Sequence, residues 1–396
     1  VYLGADKKIL IFGERRGGDR YIALDITVPA TPKFLWEIDP SIPESVYKEL
    51  GQSWSTPQIG KIKYGTDDKW VAFIGGGYDS NQDNDPIAGP DLKGRGVYAV
   101  DVLTGVKVWR YSYAEDASMT YSIPSDISRV DINGDGYIDR LYVGDMGGRM
   151  WRFDVGDSNT ANWAGKIIFK ANGVSSDQRK IFYPPDVTLE RDSVDYEMIF
   201  FGTGDREHPK EATTFNRIYA VKDKNPSTSL TESDLVNVTD DLLQDPDTSG
   251  SVKDQIKAQL QLKSGWYIIL DLNLGEKVLS PPVVFYKTAY FTTFTPTFGT
   301  GTADPCYVGE GQARIYVLRY DTGNAALNLD LSNDAGGPIV RRSDRTGVIG
   351  TAMPSGVIIT FMGGVAVGYA GVGGGVYTPM LPSTKSLIPI NWRIVF

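Results

Sequence analysis

Apolar and polar residues along the chain alternate in a way that predicts strands and few helices. Short runs rich in β-branched and aromatic side chains end at turn residues. One phrase recurs in altered form: an apolar or aromatic pair, an Ala-x-Asp or Val-x-Asp, a turn, then an aromatic strand. It appears as Tyr21-Ile22-Ala23-Leu24-Asp25 running to Phe34-Leu35-Trp36, and as Val97-Tyr98-Ala99-Val100-Asp101 with Thr104-Gly105 and Val108-Trp109. It returns as Met150-Trp151-Arg152-Phe153-Asp154, as Arg217-Ile218-Tyr219-Ala220-Val221, and as Arg314-Ile315-Tyr316-Val317-Leu318 with Asp321-Thr322-Gly323. Repetition of a small antiparallel unit at irregular spacing predicts an all-β fold, a β-propeller with long inter-strand insertions. Each blade has an apolar face that only a neighbour can cover, so the ring must close to remove free edges.

Departures from this pattern are few. Ser41-Ile42-Pro43-Glu44 has capping-box spacing ahead of Val46-Tyr47, and Ser251 to Leu262 reads as a polar helix within an insertion. The uncharged run Val357 to Tyr377 is long enough to cross a bilayer. Its glycines and β-branched residues instead predict two buried strands joined by a glycine hairpin, placed to complete the ring, with no transmembrane segment.

Composition supports this picture: 44 glycines and 22 tyrosines suit many turns and aromatic strands. A net charge of -9 argues against nucleic acid and against anionic lipid, since both require clustered cations. Cys306 is the single cysteine, so no disulfide forms within the chain. The opening Val1-Tyr2-Leu3-Gly4 is already strand-like, with neither a charged nor an apolar leader region. Residues 1–396 therefore read as one propeller domain, the C-terminal fragment of a longer exported protein.

The candidate chemistry is concentrated in Asp131-Ile132-Asn133-Gly134-Asp135-Gly136-Tyr137-Ile138-Asp139. Oxygen-bearing side chains at loop positions 1, 3, 5 and 9, glycine at 6 and a backbone carbonyl at 7 are the donors a calcium ion takes. Asp131, Asn133, Asp135 and Asp139 would give side-chain oxygens and Tyr137 its carbonyl. Position 12 is Tyr142 where an EF-hand needs glutamate, so the loop joins strands. Leu141 and Val143 alternating with Arg140 and Tyr142 predict a half-buried strand after it. The competing reading is an Asn-Gly, Asp-Gly hairpin turn, polar because it is solvated. A second acidic loop, Asp79-Ser80-Asn81-Gln82-Asp83-Asn84-Asp85, also carries alternate oxygens but has no glycine at position 6 and has Ile87 at position 9. A solvated insertion is the expectation there.

Single blades resemble two families: the metal loop with Leu141-Tyr142-Val143-Gly144 resembles integrin-type calcium repeats, and Val97 to Trp109 resembles quinoprotein dehydrogenase repeats. A longer ordered set of phrases resembles the C-terminal propeller of the type IV pilus biogenesis and adhesion factors of the PilY/PilC family. These phrases are Arg16-Gly17-Gly18-Asp19-Arg20 leading into Tyr21, then Ser53-Trp54-Ser55-Thr56-Pro57, Gly75-Gly76-Gly77-Tyr78, and the metal loop with Val143-Gly144-Asp145 and Gly148. Phe201-Gly202-Thr203-Gly204-Asp205-Arg206-Glu207-His208-Pro209, Gly265-Trp266-Tyr267, Gly275-Glu276-Lys277-Val278 and Pro305-Cys306 continue the series. The resemblance implies a modified propeller of about seven blades, exported to the outer membrane or pilus. It also implies a calcium loop, with ligands at Asp131, Asn133, Asp135, Asp139 and the Tyr137 carbonyl, that governs pilus extension against retraction and surface adhesion. Partners are then pilus components or host and surface ligands.

A generic calcium-stabilised adhesin or lectin-like propeller is the alternative, and a quinoprotein-type dehydrogenase the less favoured one. The enzyme reading lacks adjacent cysteines, and with His208 as the only histidine neither a Ser-His-Asp triad nor a multi-histidine metal centre can be assembled unless His208 serves alone. A binding and regulatory module, not an enzyme, is the expectation.

Overall fold

The computed structural model describes residues 7–42, 45–84, 90–172, 179–191, 195–297, 311–334 and 340–382. Two compact units meet in sequence at Pro184 and Pro185. Among the described residues the strands form six sheets, one fewer than the blade count the resemblance implies, and the one α-helix is Gly250–Leu262.

In the first unit, three sheets follow one another in chain order. Ile9–Gly13, Tyr21–Asp25 and Lys33–Ile38 make the first. Gln58–Tyr64, Asp67–Gly75, Gly96–Asp101 and Lys107–Ser112 make the second, and Ser128–Val130, Arg140–Gly144, Arg149–Asp154 and Ala164–Lys170 the third. Every neighbouring pair is antiparallel, as short hairpin connections require.

Side-chain alternation then settles how the sheets stack. Ala72, Ile74, Tyr98 and Val100 of the second sheet pack with Ile9, Tyr21, Ala23 and Trp36 of the first. The intervening Val71, Phe73, Val97 and Ala99 pack with Leu141, Val143, Trp151 and Phe153 of the third. A sheet covered on both faces needs apolar residues at consecutive positions, which is why Val71 through Ile74 are all buried. The same rule corrects the expectation for residues 140–144. Tyr142 is as buried as Leu141 and Val143, so this strand is covered on both faces, not one.

In the second unit, Asp186–Arg191, Asp195–Gly202, Arg217–Asp223 and Gly265–Ile269 form the fourth sheet, with Val236–Asn237 parallel at its edge. Thr288–Pro296 and Gly311–Arg319 centre the fifth. Ile358–Met362, Val365–Val372 and Gly375–Tyr377 form the sixth. Each of the five recurring phrases falls in a different sheet, and the glycine-rich sixth has none.

The phrases also explain how consecutive sheets are pinned together. Trp36 donates its indole N–H to the Val102 carbonyl at 2.9 Å, and Gly105 in that turn has φ +71° with no room for a Cβ against the indole. Trp266 repeats the device on the Tyr320 carbonyl at 3.0 Å, with Gly323 at φ +68° over its ring. Only glycine combines that backbone angle with so close an approach.

Two local expectations change. The run from Val357 to Tyr377 gives three strands with turns at Gly363-Gly364 and Gly373-Gly374, and Ile358, Met362, Val365 and Val376 are exposed. One face packs on Tyr290, Ile315 and Val317, so the strands are covered on one side only. Residues 46–49 form turns and no helix, while Pro43 and Glu44 lie outside the described residues. The polar helix is where the sequence predicted it, capped by Ser249. No described helix is long and apolar enough to cross a membrane.

Candidate metal centre

Residues 131–139 connect Ser128–Val130 to Arg140–Gly144, so the loop is an interstrand turn of the third sheet, as the sequence predicted. Its ends are clamped by backbone bonds: the Asp139 N–H donates to the Val130 carbonyl at 3.0 Å, and the Val155 N–H to the Asp139 carbonyl at 2.8 Å. Gly134 and Gly136 take φ +78° and +89°, with open space where a Cβ would stand. Backbone conformation, and not crowding, demands glycine at both.

Within the loop the carboxylates fold back on the chain. Asp131 accepts N–H bonds from Gly134 at 2.7 Å and Gly136 at 2.8 Å. Asn133 Oδ1 accepts from the Asp135 N–H at 2.8 Å, Asp135 Oδ1 from the Tyr137 N–H at 3.0 Å, and Asp139 Oδ2 from the Ile132 N–H at 2.8 Å. Burial pushes the Asp139 carboxyl above the ordinary aspartate range, and the neighbouring charges of Asp131 and Asp135 add to this. Asp135 is displaced downward, chiefly by its bond to Lys63.

The structure thus brings all five predicted ligands onto one short loop, with its three carboxylates not gathered to a point. Among the described residues no three His, Cys, Asp or Glu side chains converge closely enough to hold a metal. The donor chemistry nevertheless suits a hard cation: three carboxylates, one amide oxygen and an available carbonyl. The loop has also drawn a cation to itself, since Lys63 Nζ lies 3.0 Å from Asp135 Oδ2.

The residues that sequence reasoning missed lie on the neighbouring hairpin of the second sheet. Lys61 Nζ and Lys63 Nζ stand 4.7 Å and 4.8 Å from the centre of the Tyr137 ring. The Tyr137 hydroxyl donates to Asp68 Oδ1 at 2.6 Å and accepts from Lys61 at 3.3 Å. The Ile138 N–H donates to the Lys61 carbonyl at 2.9 Å. Their signal was available: Lys61-Ile62-Lys63 alternates, placing both lysines on one side of a strand.

The second acidic loop is built differently. Ser80–Asp83 is a short 3-10 turn capped by Asp79, whose oxygens accept from the N–H groups of Asn81, Leu92 and Lys93 at 2.8–3.0 Å. Asp83 takes both guanidinium nitrogens of Arg16 at 2.9 Å. Gln82, expected in a solvated insertion, is buried and donates to the buried Asp91 at 2.9 Å. Asp85 and Ile87 lie outside the described residues, as does Cys306. His208 is held by Asp205, Nδ1 to Oδ2 at 2.8 Å, and its carbonyl accepts from the buried Lys277. It serves the loop it stands in.

Residues 2–225, more than half of the chain, match the model of the PilY1 beta-propeller domain. The chain belongs to this PilY1 propeller family. A type IV pilus biogenesis factor PilY1 homolog of Xylella fastidiosa is 24% identical over 355 residues, covering 82% of this chain and 22% of the relative. The type IV pilus biogenesis factor PilY1 of Pseudomonas aeruginosa strain PAO1 is 25% identical over 374 residues, covering 82% of this chain and 30% of the relative. This chain therefore spans less than a third of either relative's length. The crystal structure of the Pseudomonas aeruginosa PilY1 C-terminal domain superposes with a TM-score of 0.67 at 19% identity, over 94% of this chain and 80% of that one. The PilY1 propeller architecture is thus common to both.

Proposed function

We propose that this chain is the calcium-responsive propeller of a type IV pilus biogenesis factor, acting at the cell envelope or surface to bias pilus extension against retraction and to support adhesion. Its direct partners on this reading are pilus components or surface ligands, and its work is binding without catalysis. The pilus assignment rests on the PilY1 relatives, which are named as type IV pilus biogenesis factors. The calcium assignment rests on one observation: a clamped interstrand loop that carries Asp131, Asn133, Asp135, Asp139 and the Tyr137 carbonyl in sequence.

Bound calcium would supply the positive charge these carboxylates lack. Asp139 sits at the end of the loop, where its N–H and carbonyl join the third sheet, so its backbone is anchored there. Asp131 and Asn133 meanwhile hold the glycine turns in shape through their N–H bonds. Ligand and turn-forming roles coexist, because a carboxylate oxygen that accepts one N–H keeps a further lone pair.

The test has two parts. Calorimetric titration of the metal-stripped chain with calcium chloride should show saturable binding that Asp139→Ala removes while the circular dichroism of the fold persists. A strain carrying Asp139→Ala in the full-length protein should change in surface piliation or twitching. Wild-type twitching and piliation in that strain would sink the regulatory claim even if calcium binds.

A further inference from the structure

Lys63 is the one partner of the metal loop's carboxylates that comes from another sheet and carries a positive charge, among the described contacts. It extends from Gln58–Tyr64, next to the hairpin turn, and places its ammonium both on Asp135 and near the Tyr137 ring. Lys61, two residues back on the same strand, is committed elsewhere, to Asp68 at 2.5 Å. Loop and hairpin are joined besides by the Ile138 to Lys61 backbone bond and by Ile138 packed on Gly60, where a Cβ would come within 2.6 Å of the isoleucine side chain. Any rearrangement around Asp135 is therefore felt on the hairpin.

Two cations cannot share Asp135 without repelling each other, and an exposed ammonium is the easier to release because water solvates it at once. We propose that Lys63 is a built-in counter-ion of the loop, displaced when a divalent cation takes Asp135, and that its release passes the loop's occupancy to the Gln58–Gly75 hairpin of the second sheet. The inference rests on the calcium reading of the loop and adds to it a competitor and a receiver. Lys63 holds the metal-free loop neutral enough to keep its shape, and its presence sets calcium affinity lower than the ligands alone would give. Tyr137 and Ile138 keep the hairpin beside the loop in both states, so the change is confined to the Lys63 side chain and the turn it flanks.

The experiment uses the whole 396-residue chain, stripped of metal, as wild type, Lys63→Met and Lys63→Arg. Calcium chloride is titrated calorimetrically at low and high sodium chloride, and amide exchange across residues 58–75 is followed by mass spectrometry with and without calcium. Lys63→Met should bind calcium roughly threefold to tenfold more tightly at low salt, with the gap closing at high salt, because an exposed pair is weak and screened. Lys63→Arg, which keeps the charge, should stay near wild type. Exchange at the hairpin should shift on calcium addition in wild type and shift less in Lys63→Met. Unchanged affinity in Lys63→Met, together with hairpin exchange indifferent to calcium, overturns the counter-ion role and leaves the calcium site standing. Absence of calcium binding in all three proteins overturns the site itself.

Discussion

The two acidic loops of the first unit, 79–85 and 131–139, look alike as strings of alternating oxygen-bearing residues, yet they are held by different partners. Asp79 accepts from the loop's own Asn81 but also from Leu92 and Lys93 beyond the loop, and Asp83 from Arg16. Those carboxylates staple an insertion shut. In 131–139 the donors are the loop's own N–H groups, and the outside partner at Asp135 is a lysine ammonium. Acid content does not separate the two loops; the donors brought in from beyond each loop do. Imported N–H donors meet a buried carboxylate at Asp79, whereas the carboxylates of 131–139 are bonded by local donors in a more exposed stretch where water and ions compete for them.

The largest expected difference is in calcium binding. Asp139→Ala should abolish it and Asp79→Ala should leave it intact, as measured by calorimetric titration of the metal-free proteins. Calcium binding lost in Asp79→Ala alone, with the fold preserved, would reverse the roles assigned to the two loops.

Stability should divide them the other way. Asp79 is buried and accepts three N–H bonds, so Asp79→Ala leaves donors without partners and should cost about 3 kcal/mol. Asp131 accepts two such bonds in an exposed stretch where water replaces it, so Asp131→Ala should cost the metal-free chain less than about 1 kcal/mol. Denaturant midpoints read both, and equal costs would show that exposure does not distinguish the loops.

This division was only partly legible in the sequence. The recurring phrases announced their sheets because an aspartate closing a β-branched and aromatic run, with Thr-Gly at or just after it, is a strand with its turn written in, and Gly105 and Gly323 obey the turn's backbone demand. The metal loop's place between strands was legible for the same reason. What could not be read was which side chains meet across sheets. Lys61 and Lys63 lie about seventy residues from Tyr137 and Asp135, and no local pattern reports a contact of that range. Tyr142 was assigned to a solvated face because single-strand alternation cannot reveal that a second sheet covers it. The exposed side of the sixth sheet was misjudged from its uncharged composition, which is compatible with one covered face or two.

Proton affinity offers a smaller but sharper contrast. Burial raises the Asp91 carboxyl above the ordinary range, against the pull of its bonds to Ser122 and Gln82. Its folded-state value then exceeds the unfolded one. Asp91 costs nothing below the unfolded value, and its charge subtracts stability as pH rises through the folded value. Asp135 is lowered by Lys63, so it adds a little stability above the unfolded value, lost as pH falls through the folded one. Carboxyl-carbon NMR titration of the metal-free chain should place the two midpoints on opposite sides of about 3.9. In Lys63→Met the Asp135 midpoint should move back up while Asp91 stays put. Two midpoints displaced in the same direction would remove the electrostatic distinction between Asp91 and Asp135.

The finest contrast is between two tyrosine hydroxyls. Tyr78 donates to Asp83 at 2.7 Å from a ring that is 1% exposed, and Tyr137 donates to Asp68 at 2.6 Å from the open face of the metal loop. Tyr78→Phe removes a donor from the Asp83 carboxylate inside the stapled insertion, and a cost of roughly 1 kcal/mol is expected. Tyr137→Phe keeps the ring beside Lys61 and Lys63 and loses the bonds to Asp68 and Lys61, which water can replace, so its cost should fall below about half of that. Calcium affinity should be insensitive to Tyr137→Phe, because the ligand expected there is the backbone carbonyl. A loss of affinity in Tyr137→Phe would instead show that the hydroxyl's grip on Asp68 holds the loop in its binding shape, and would move the hairpin from receiver to part of the site.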